Sequence, residues 1–292
     1  MINVLITGTK SYVGLSFERF ATSFAPSLNI KKISLRDASW HQEDFSIYDV
    51  IFHVAGIAHS ETGGADEFTK QMYYEINRDL AVEVAKKAKS AGVGQFIFMS
   101  SMIVFGNSGA VGVDKMITDE SEPNPANFYG DSKWQAECAL QQLSEEDFKV
   151  CIIRPPMIYG RNSKGNYPKL SKLARTLPVF PDIKNERSMI YVENLCKFIE
   201  LMIKNQEMGV FHPQNEAYVR TSHLVKTIAR VHKHPLMLTK TFNGAIKRAG
   251  KGIGLVNKVF GNFTYDLSMS DYKENYRLVN FKDSIEATEK KS

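Results

Sequence analysis

Two periods alternate along the first 160 positions. Continuous apolar runs at 2–7, 30–35, 50–54, 96–100 and 150–153 predict strands buried on both faces. Between them, segments 14–25, 73–91 and 133–143 place apolar residues at helical spacing, as Phe17, Phe20, Ala21 and Phe24 do in the first. Two-sided apolar strands separated by amphipathic helices predict an α/β fold: a mostly parallel, doubly wound (Rossmann) sheet covered by helices on both faces. After Gly160 this alternation breaks down into Asn162-Ser163-Lys164-Gly165-Asn166-Tyr167-Pro168 and Leu177-Pro178-Val179-Phe180-Pro181.

Composition narrows the class. With 292 residues, 43% of them hydrophobic, the chain can build one large domain with a smaller appendage. No apolar run approaches the roughly 20 residues that cross a bilayer. The N-terminus has no Lys or Arg before Lys10 and runs directly into a strand, so no signal peptide is expected. Cys138, Cys151 and Cys196 show neither metal-ligand nor redox spacing; reduced thiols in a cytoplasmic protein are expected. A net charge of +5 suits anionic small ligands and is too small to argue for nucleic acid. No His/Asp/Glu cluster suggests a metal, and His53 and His59 are either structural or lie along a cofactor cleft.

Three places carry candidate chemistry. The turn Thr7-Gly8-Thr9-Lys10-Ser11-Tyr12-Val13-Gly14 joins the first strand to the first helix, where free backbone N–H groups hold a pyrophosphate. Gly8 allows the tight turn, Gly14 allows close packing of helix on sheet, and Ser11 replaces the middle glycine of the usual pattern. Arg36, at the end of the second strand, can pair with the 2′-phosphate of NADP where an acid would select NAD; NADP(H) is therefore favoured, with NAD(H) as the other choice. Tyr129 and Lys133, four apart, share a helical face, and an ammonium beside a phenol favours its ionised form. A serine of the Ser100-Ser101 pair is available to hold a substrate oxygen against that phenol.

Six ordered stretches together resemble the extended short-chain dehydrogenase/reductases: the turn from Thr7 to Gly14, His53-Val54-Ala55-Gly56, Asn77, Ser100 to Gly106, Tyr129 to Lys133, and Arg154-Pro155-Pro156-Met157-Ile158-Tyr159-Gly160. These are the nucleotide-sugar epimerases, dehydratases and reductases. The resemblance implies that Tyr129 is the catalytic acid/base, that Lys133 lowers its pKa and holds the nicotinamide ribose, and that Ser101 hydrogen-bonds the reacting sugar oxygen. It places Gly8, Ser11, Tyr12, Val13, Gly14, Arg36, Ala55, Gly56, Asn77 and Pro156 along the cofactor, with helix capping as the alternative for Asn77. It also implies a smaller, discontinuous C-terminal substrate lobe, with 1–160 as the dinucleotide domain, 161–292 as mainly the lobe, and segments around 188–212 returning to the core. In that lobe Asn166 would lie near the sugar diphosphate, Phe180 beside the uracil ring, and Arg187 on the diphosphate.

Sugar 4,6-dehydratases of this family carry Asp-Glu directly after the catalytic hydroxyl residue. Met102 and Ile103 stand there instead, which argues against elimination. Within the family the chain looks most like the capsule and O-antigen polysaccharide biosynthesis enzymes that reduce the C4 keto group of a UDP-linked 4-keto-6-deoxy-N-acetylhexosamine. A UDP-sugar 4-epimerase with retained NAD is the alternative, and a non-catalytic nucleotide-binding scaffold a third. Family members often pair through the helices corresponding to 73–91 and 133–143, which implies a homodimer. Residues 240–260 mix Lys240, Lys247, Arg248, Lys251 and Lys258 with Phe242, Ile246, Ile253, Leu255, Val256 and Phe260. A basic amphipathic helix touching an anionic membrane has this pattern; so does a solvated helix packed on the lobe, which is the expectation.

Overall fold

The structure is a computed structural model and describes residues 1–58, 66–250 and 252–290. His59 and Lys251 lie outside the described residues. The apolar runs form strands β1 (Ile2–Thr7), β2 (Leu28–Ile33), β3 (Val50–His53) and β4 (Gln95–Met99), together with Lys149–Ile153. A sixth strand, Gly209–Phe211, completes a parallel sheet in the order Gly209–Phe211, Lys149–Ile153, β4, β3, β1, β2. Strand β2 starts and ends two residues earlier than the apolar run suggested, so Arg36 lies in the loop beyond it.

Strand β1 has β2 on one side and β3 on the other. The winding direction reverses there, and the crevice beyond the carboxyl ends of such a pair is where doubly wound sheets bind ligands. Helix α1 (Tyr12–Phe24) follows β1, with Ser11 as its N-cap accepting from Gly14 N at 3.4 Å. The serine in the middle-glycine position thus has a structural use. A Cβ on Gly14 would lie 3.0 Å from Val54 Cγ2 and 3.1 Å from Ile6 Cγ2, so glycine lets α1 pack directly on the sheet.

The predicted helix over 73–91 is two helices, α2 (Glu67–Tyr74) and α3 (Leu80–Ser90), joined by a π-helical turn at Glu75–Asp79. Ala81, Val84, Ala85 and Ala88 of α3 pack with Ile51, Phe96 and Phe98 of the sheet. Helix α4 (Phe128–Gln141) lays a stripe of Lys133, Ala136, Glu137 and Leu140 inward, two of them charged. Ionic groups facing a core at helical spacing mark a position where chemistry, and not packing alone, dictates the residue.

The chain forms two compact units: Met1–Gly106, Glu122–Pro155 and Leu195–Pro213 make the first, and Asn107–Ser121, Pro156–Asn194 and Gln214–Ser292 the second. This differs from a division at residue 160. Segment 107–121 belongs to the second unit because Met116–Ile117 pairs with Thr264–Tyr265. The second unit also contains the parallel pairs Met157–Tyr159 with Met189–Tyr191 and Val179–Pro181 with Met237–Thr239. In its core Tyr159 is fully buried, its hydroxyl 2.6 Å from Ser284 Oγ and 3.0 Å from Asn215 Nδ2. Residues 240–260 form two short helices, Asn243–Ala249 and Gly254–Phe260, instead of one. Among the described residues no helix is long and apolar enough to cross a membrane.

Candidate active site

Asn127 starts α4 by accepting from Gly130 N at 2.9 Å. A Cβ on Gly130 would sit 2.9 Å from the Ile103 carbonyl oxygen, so the glycine lets the first turn of α4 press against the short 3-10 turn Met102–Phe105. That close approach sets Tyr129 against Ser101. Ser101 caps the 3-10 turn, accepting from Ile103 N at 3.3 Å. Burial pushes the Tyr129 phenol up to about 12; the Ser101 hydroxyl beside it pulls the other way, and Tyr73 pushes with the burial. The Tyr73 ring stands edge-on at 6.0 Å.

One turn further along α4, Lys133 Nζ donates to the Met99 carbonyl at 3.0 Å and lies 4.5 Å from the centroid of the Phe98 ring. Burial lowers its pKa to about 8, with the Glu137 carboxylate opposing the shift. The ammonium is committed to the end of β4, and what shifts the phenol is burial, Ser101 and Tyr73.

Gly56 lies under this group. A Cβ there would be 2.9 Å from Asn77 Oδ1 and 3.3 Å from Lys133 Nζ, so no side chain fits. Asn77 is no helix cap. It sits buried in the π-helical turn, where its amide accepts from Ile57 N at 2.9 Å and donates to Ile57 O and to Ser132 Oγ, both at 3.1 Å. Ser132 in turn donates to the Tyr129 carbonyl at 2.9 Å. A π turn redirects one side chain without ending the helix, and here it fixes the loop after β3 to the first turn of α4.

The residues expected along a dinucleotide suit one. Gly8 has φ +105, and a Cβ on it would lie 3.0 Å from the Cα and N of Ala55, so the β1 turn and the β3 loop meet backbone to backbone. The N–H groups of the first turn of α1, around Tyr12 and Val13, lack intrahelical acceptors by construction and point toward that crevice. Arg36 is exposed, whereas Asp37 caps the next turn through Ser39, which holds its carboxyl below the usual range. Pro156 is buried and begins the second unit. His53 is a core residue: its Nδ1 lies 3.0 Å from Thr7 Oγ1, and burial with the nearby Lys133 charge lowers it to about 3, leaving it neutral.

In the second unit one cavity is lined by Asn166 and Arg187, together with Lys169, Lys258 and Thr221 among polar residues, over apolar walls such as Met157, Leu170 and Leu224. Arg187 Nη1 donates to the Gly261 carbonyl at 3.0 Å, and burial lowers its pKa to about 10, so it stays charged at neutral pH. Among the described residues no carboxylate pairs with it. Phe180 is not in this wall; it is buried against Phe260, ring centroids 5.7 Å apart. Sequence reasoning missed Lys169, and it assigned Lys258 only to a basic surface. It also missed Glu137, although Glu137 continues the i,i+4 series of Tyr129 and Lys133 on the inward face of α4, and it set Arg154 within a motif without revealing that the two pair.

The model of the NAD dependent epimerase/dehydratase family matches residues 4–216. A UDP-glucose 4-epimerase from Vibrio cholerae is 28% identical over 91% of this chain and 88% of its own length. The N-acetyl-α-D-glucosaminyl-diphospho-ditrans,octacis-undecaprenol 4-epimerase of Escherichia coli O157:H7 is 30% identical over 71% of this chain and 65% of its own. Among solved structures, a dTDP-4-dehydrorhamnose reductase from Clostridium acetobutylicum superimposes with a TM-score of 0.74 at 16% identity, covering 98% of each chain. The chain belongs to the NAD-dependent epimerase/dehydratase family, the extended short-chain dehydrogenase/reductases, and is an NAD(P)-dependent enzyme of nucleotide-sugar chemistry.

Proposed function

We propose that this protein is a cytoplasmic 4-epimerase of a UDP-linked hexose or N-acetylhexosamine. The observation that carries the reading is the meeting of the Tyr129 phenol and the Ser101 hydroxyl one helical turn from Lys133, in the unit with the dinucleotide crevice. Two 4-epimerases among the relatives support it, one of them aligned along nearly the whole chain. Bound NAD(P) supplies the acceptor and donor of the C4 hydride. The chain's own residues handle the proton: Tyr129 takes it from the C4 hydroxyl and returns it after the ring has turned, and Ser101 holds the C4 oxygen in line. Lys133, with a pKa near 8, is poised to carry positive charge toward the ribose while resting on Met99. Arg187, Lys169 and Lys258 give the second unit's cavity the charge to take the diphosphate.

A second reading, NADPH-dependent reduction of a UDP-4-keto-6-deoxy-N-acetylhexosamine, is favoured by two observations. A phenol held protonated up to about 12 is matched to giving a proton to a carbonyl oxygen. Arg36, exposed at the end of the β2 loop, suits the 2′-phosphate of an exchangeable cofactor. One experiment separates the two. Interconversion of UDP-GlcNAc with UDP-GalNAc, or of UDP-glucose with UDP-galactose, without added nicotinamide supports the epimerase. Stoichiometric loss of NADPH absorbance on the keto sugar supports the reductase, and failure of both rejects the assigned site.

A further inference from the structure

The net positive charge of the molecule has a single source. Nine of the 37 Lys and Arg residues lie between 217 and 265, and none of the 32 Asp and Glu residues do; the remainder carries 28 cations against 32 anions. At the centre of this stretch are the helices Asn243–Ala249 and Gly254–Phe260 of the second unit. The first of them contributes no fully buried residue: Asn243, Ile246 and Ala249 are half-buried and the rest of this helix faces outward. Phe242, just before it, is 53% exposed and Ile253, just after it, 52%; Ile253 N donates to the Ala249 carbonyl at 2.8 Å and is thus held to its last turn. Lys247 lies over Gly112, whose absent Cβ would be 3.6 Å from Lys247 Cε, which brings the 56% exposed Val113 into the same patch.

Lys240, Lys247 and Arg248 are exposed, and among the described residues none has a carboxylate partner. Two carboxylates on neighbouring segments are already engaged. Asp182, whose backbone carbonyl accepts from Asn243 Nδ2, pairs through its side chain with Arg220 at 2.8 Å, and Asp114 accepts from Asn262 Nδ2 at 2.6 Å. Uncommitted cations are thus interleaved with exposed Phe, Ile and Val side chains.

We propose that this patch docks the protein on an anionic phospholipid bilayer, with Phe242, Ile253 and Val113 entering the headgroup boundary and Lys240, Lys247 and Arg248 meeting the lipid phosphates. Cations ringed around a few exposed apolar side chains are what an interfacial anchor requires. A nucleic acid is the poorer fit, because Ile253 and Val113 offer no ring face for a base to stack on. The inference is independent of which sugar reaction the first unit performs.

The test is co-sedimentation of the full chain with phosphatidylcholine vesicles, with and without phosphatidylglycerol, over a range of salt. Binding to the anionic vesicles alone, weakening as salt rises, is expected. Each cation at such a surface is worth about fivefold in partitioning, so the triple variant Lys240→Gln, Lys247→Gln, Arg248→Gln should bind about 100-fold more weakly. Phe242→Ser with Ile253→Ser should release the protein at low salt as well. All these side chains are exposed, so the thermal midpoint should stay unchanged, which separates lost docking from lost folding. Native protein that ignores anionic vesicles, a triple variant that binds like the native chain, or retention by single-stranded RNA without retention by vesicles overturns the proposal.

Discussion

Arg154 grips Glu137 inside the first unit, with Nη2 2.6 Å and Nε 2.9 Å from Oε2. Both residues are buried, and Ser100 donates its hydroxyl hydrogen to the other carboxylate oxygen. The Phe105 and Trp134 rings stand 5.1 and 5.6 Å from the guanidinium carbon. The pair ties the residue that follows the strand Lys149–Ile153 to α4, one turn beyond Lys133, and anchors the serine next to Ser101. Glu137→Leu leaves a buried guanidinium without its anion and should destabilise the protein by about 3–5 kcal/mol, measured by urea unfolding. Adding Arg154→Met to Glu137→Leu should recover most of that loss. A single substitution without measurable effect would show the pair to be dispensable.

Lys133 makes stability depend on pH in a defined direction. Burial brings its pKa down to about 8 in the folded chain from the 10.5 of a free lysine. Between those limits the unfolded chain binds the extra proton, so this residue's contribution to stability rises with pH through that window, by roughly 3 kcal/mol at most. The buried thiol of Cys151 and the Tyr129 phenol, both raised, act oppositely at alkaline pH. The informative measurement is therefore the difference between the native chain and Lys133→Met from pH 7 to 10.5. A difference that stays flat would mean the ammonium is not desolvated. Glu137→Gln should move the lower edge of the window to lower pH, because the carboxylate is what holds the lysine up.

Tyr129→Phe should lower kcat by about 10²–10⁴-fold while leaving the unfolding midpoint and cofactor affinity nearly unchanged. Ser101→Ala should lower it by about 10²-fold, since it removes one donor to the reacting oxygen. Full turnover by Tyr129→Phe would move the acid/base role to another group.

The four inner strands were legible because they are buried on both faces, which leaves unbroken apolar runs in the sequence. The edge strands β2 and Gly209–Phe211 are only partly buried; the apolar run of β2 lies two residues late, and Gly209–Phe211 leaves no run to read. The β1 turn was legible through Gly8 and Gly14, which the backbone conformation at one and the helix packing at the other require. What periodicity could not show was any relationship set by distant pairing. Residues 107–121 join the second unit through partners far along the chain: Met116 pairs with Thr264, Gly109 N donates to the Asn262 carbonyl, and Asp114 accepts from Asn262 Nδ2. The π turn around Asn77 leaves no trace in the amphipathic pattern, since the helices on either side keep their apolar faces. Spacing placed Tyr129 and Lys133 on one helix a turn apart, yet it carried no information on the hydrogen bond that the ammonium gives to the Met99 carbonyl. Phe180 is buried with its ring against Phe260, and a packing aromatic and one that stacks on a base look alike in one dimension.

Arg36 should decide the cofactor. Asp37 is occupied as the cap of the following turn, which leaves Arg36 as the exposed charged side chain at this end of β2. Arg36→Asp should weaken NADPH by about tenfold or more and leave NADH unaffected or improved, measured by nicotinamide fluorescence titration. Equal loss for both cofactors would place Arg36 away from the 2′ position.

Arg187 sets affinity against stability. It is a cation driven down to about 10 by burial, satisfied by one carbonyl and, among the described residues, by no carboxylate. Burying a charge without its counterion is unfavourable in the free protein, and a bound diphosphate reverses the balance. Arg187→Gln should therefore weaken UDP by roughly 10–100-fold, the worth of a charge-assisted hydrogen bond, while raising the thermal midpoint of the ligand-free protein. Because the diphosphate is remote from the reacting carbon and is held alike in ground and transition states, KM should rise with kcat little changed. Calorimetric titration of UDP and a thermal melt of the same variant check both halves together. Lower stability with unaltered UDP affinity would make Arg187 a brace for Gly261 and remove the cavity of the second unit from the substrate's path.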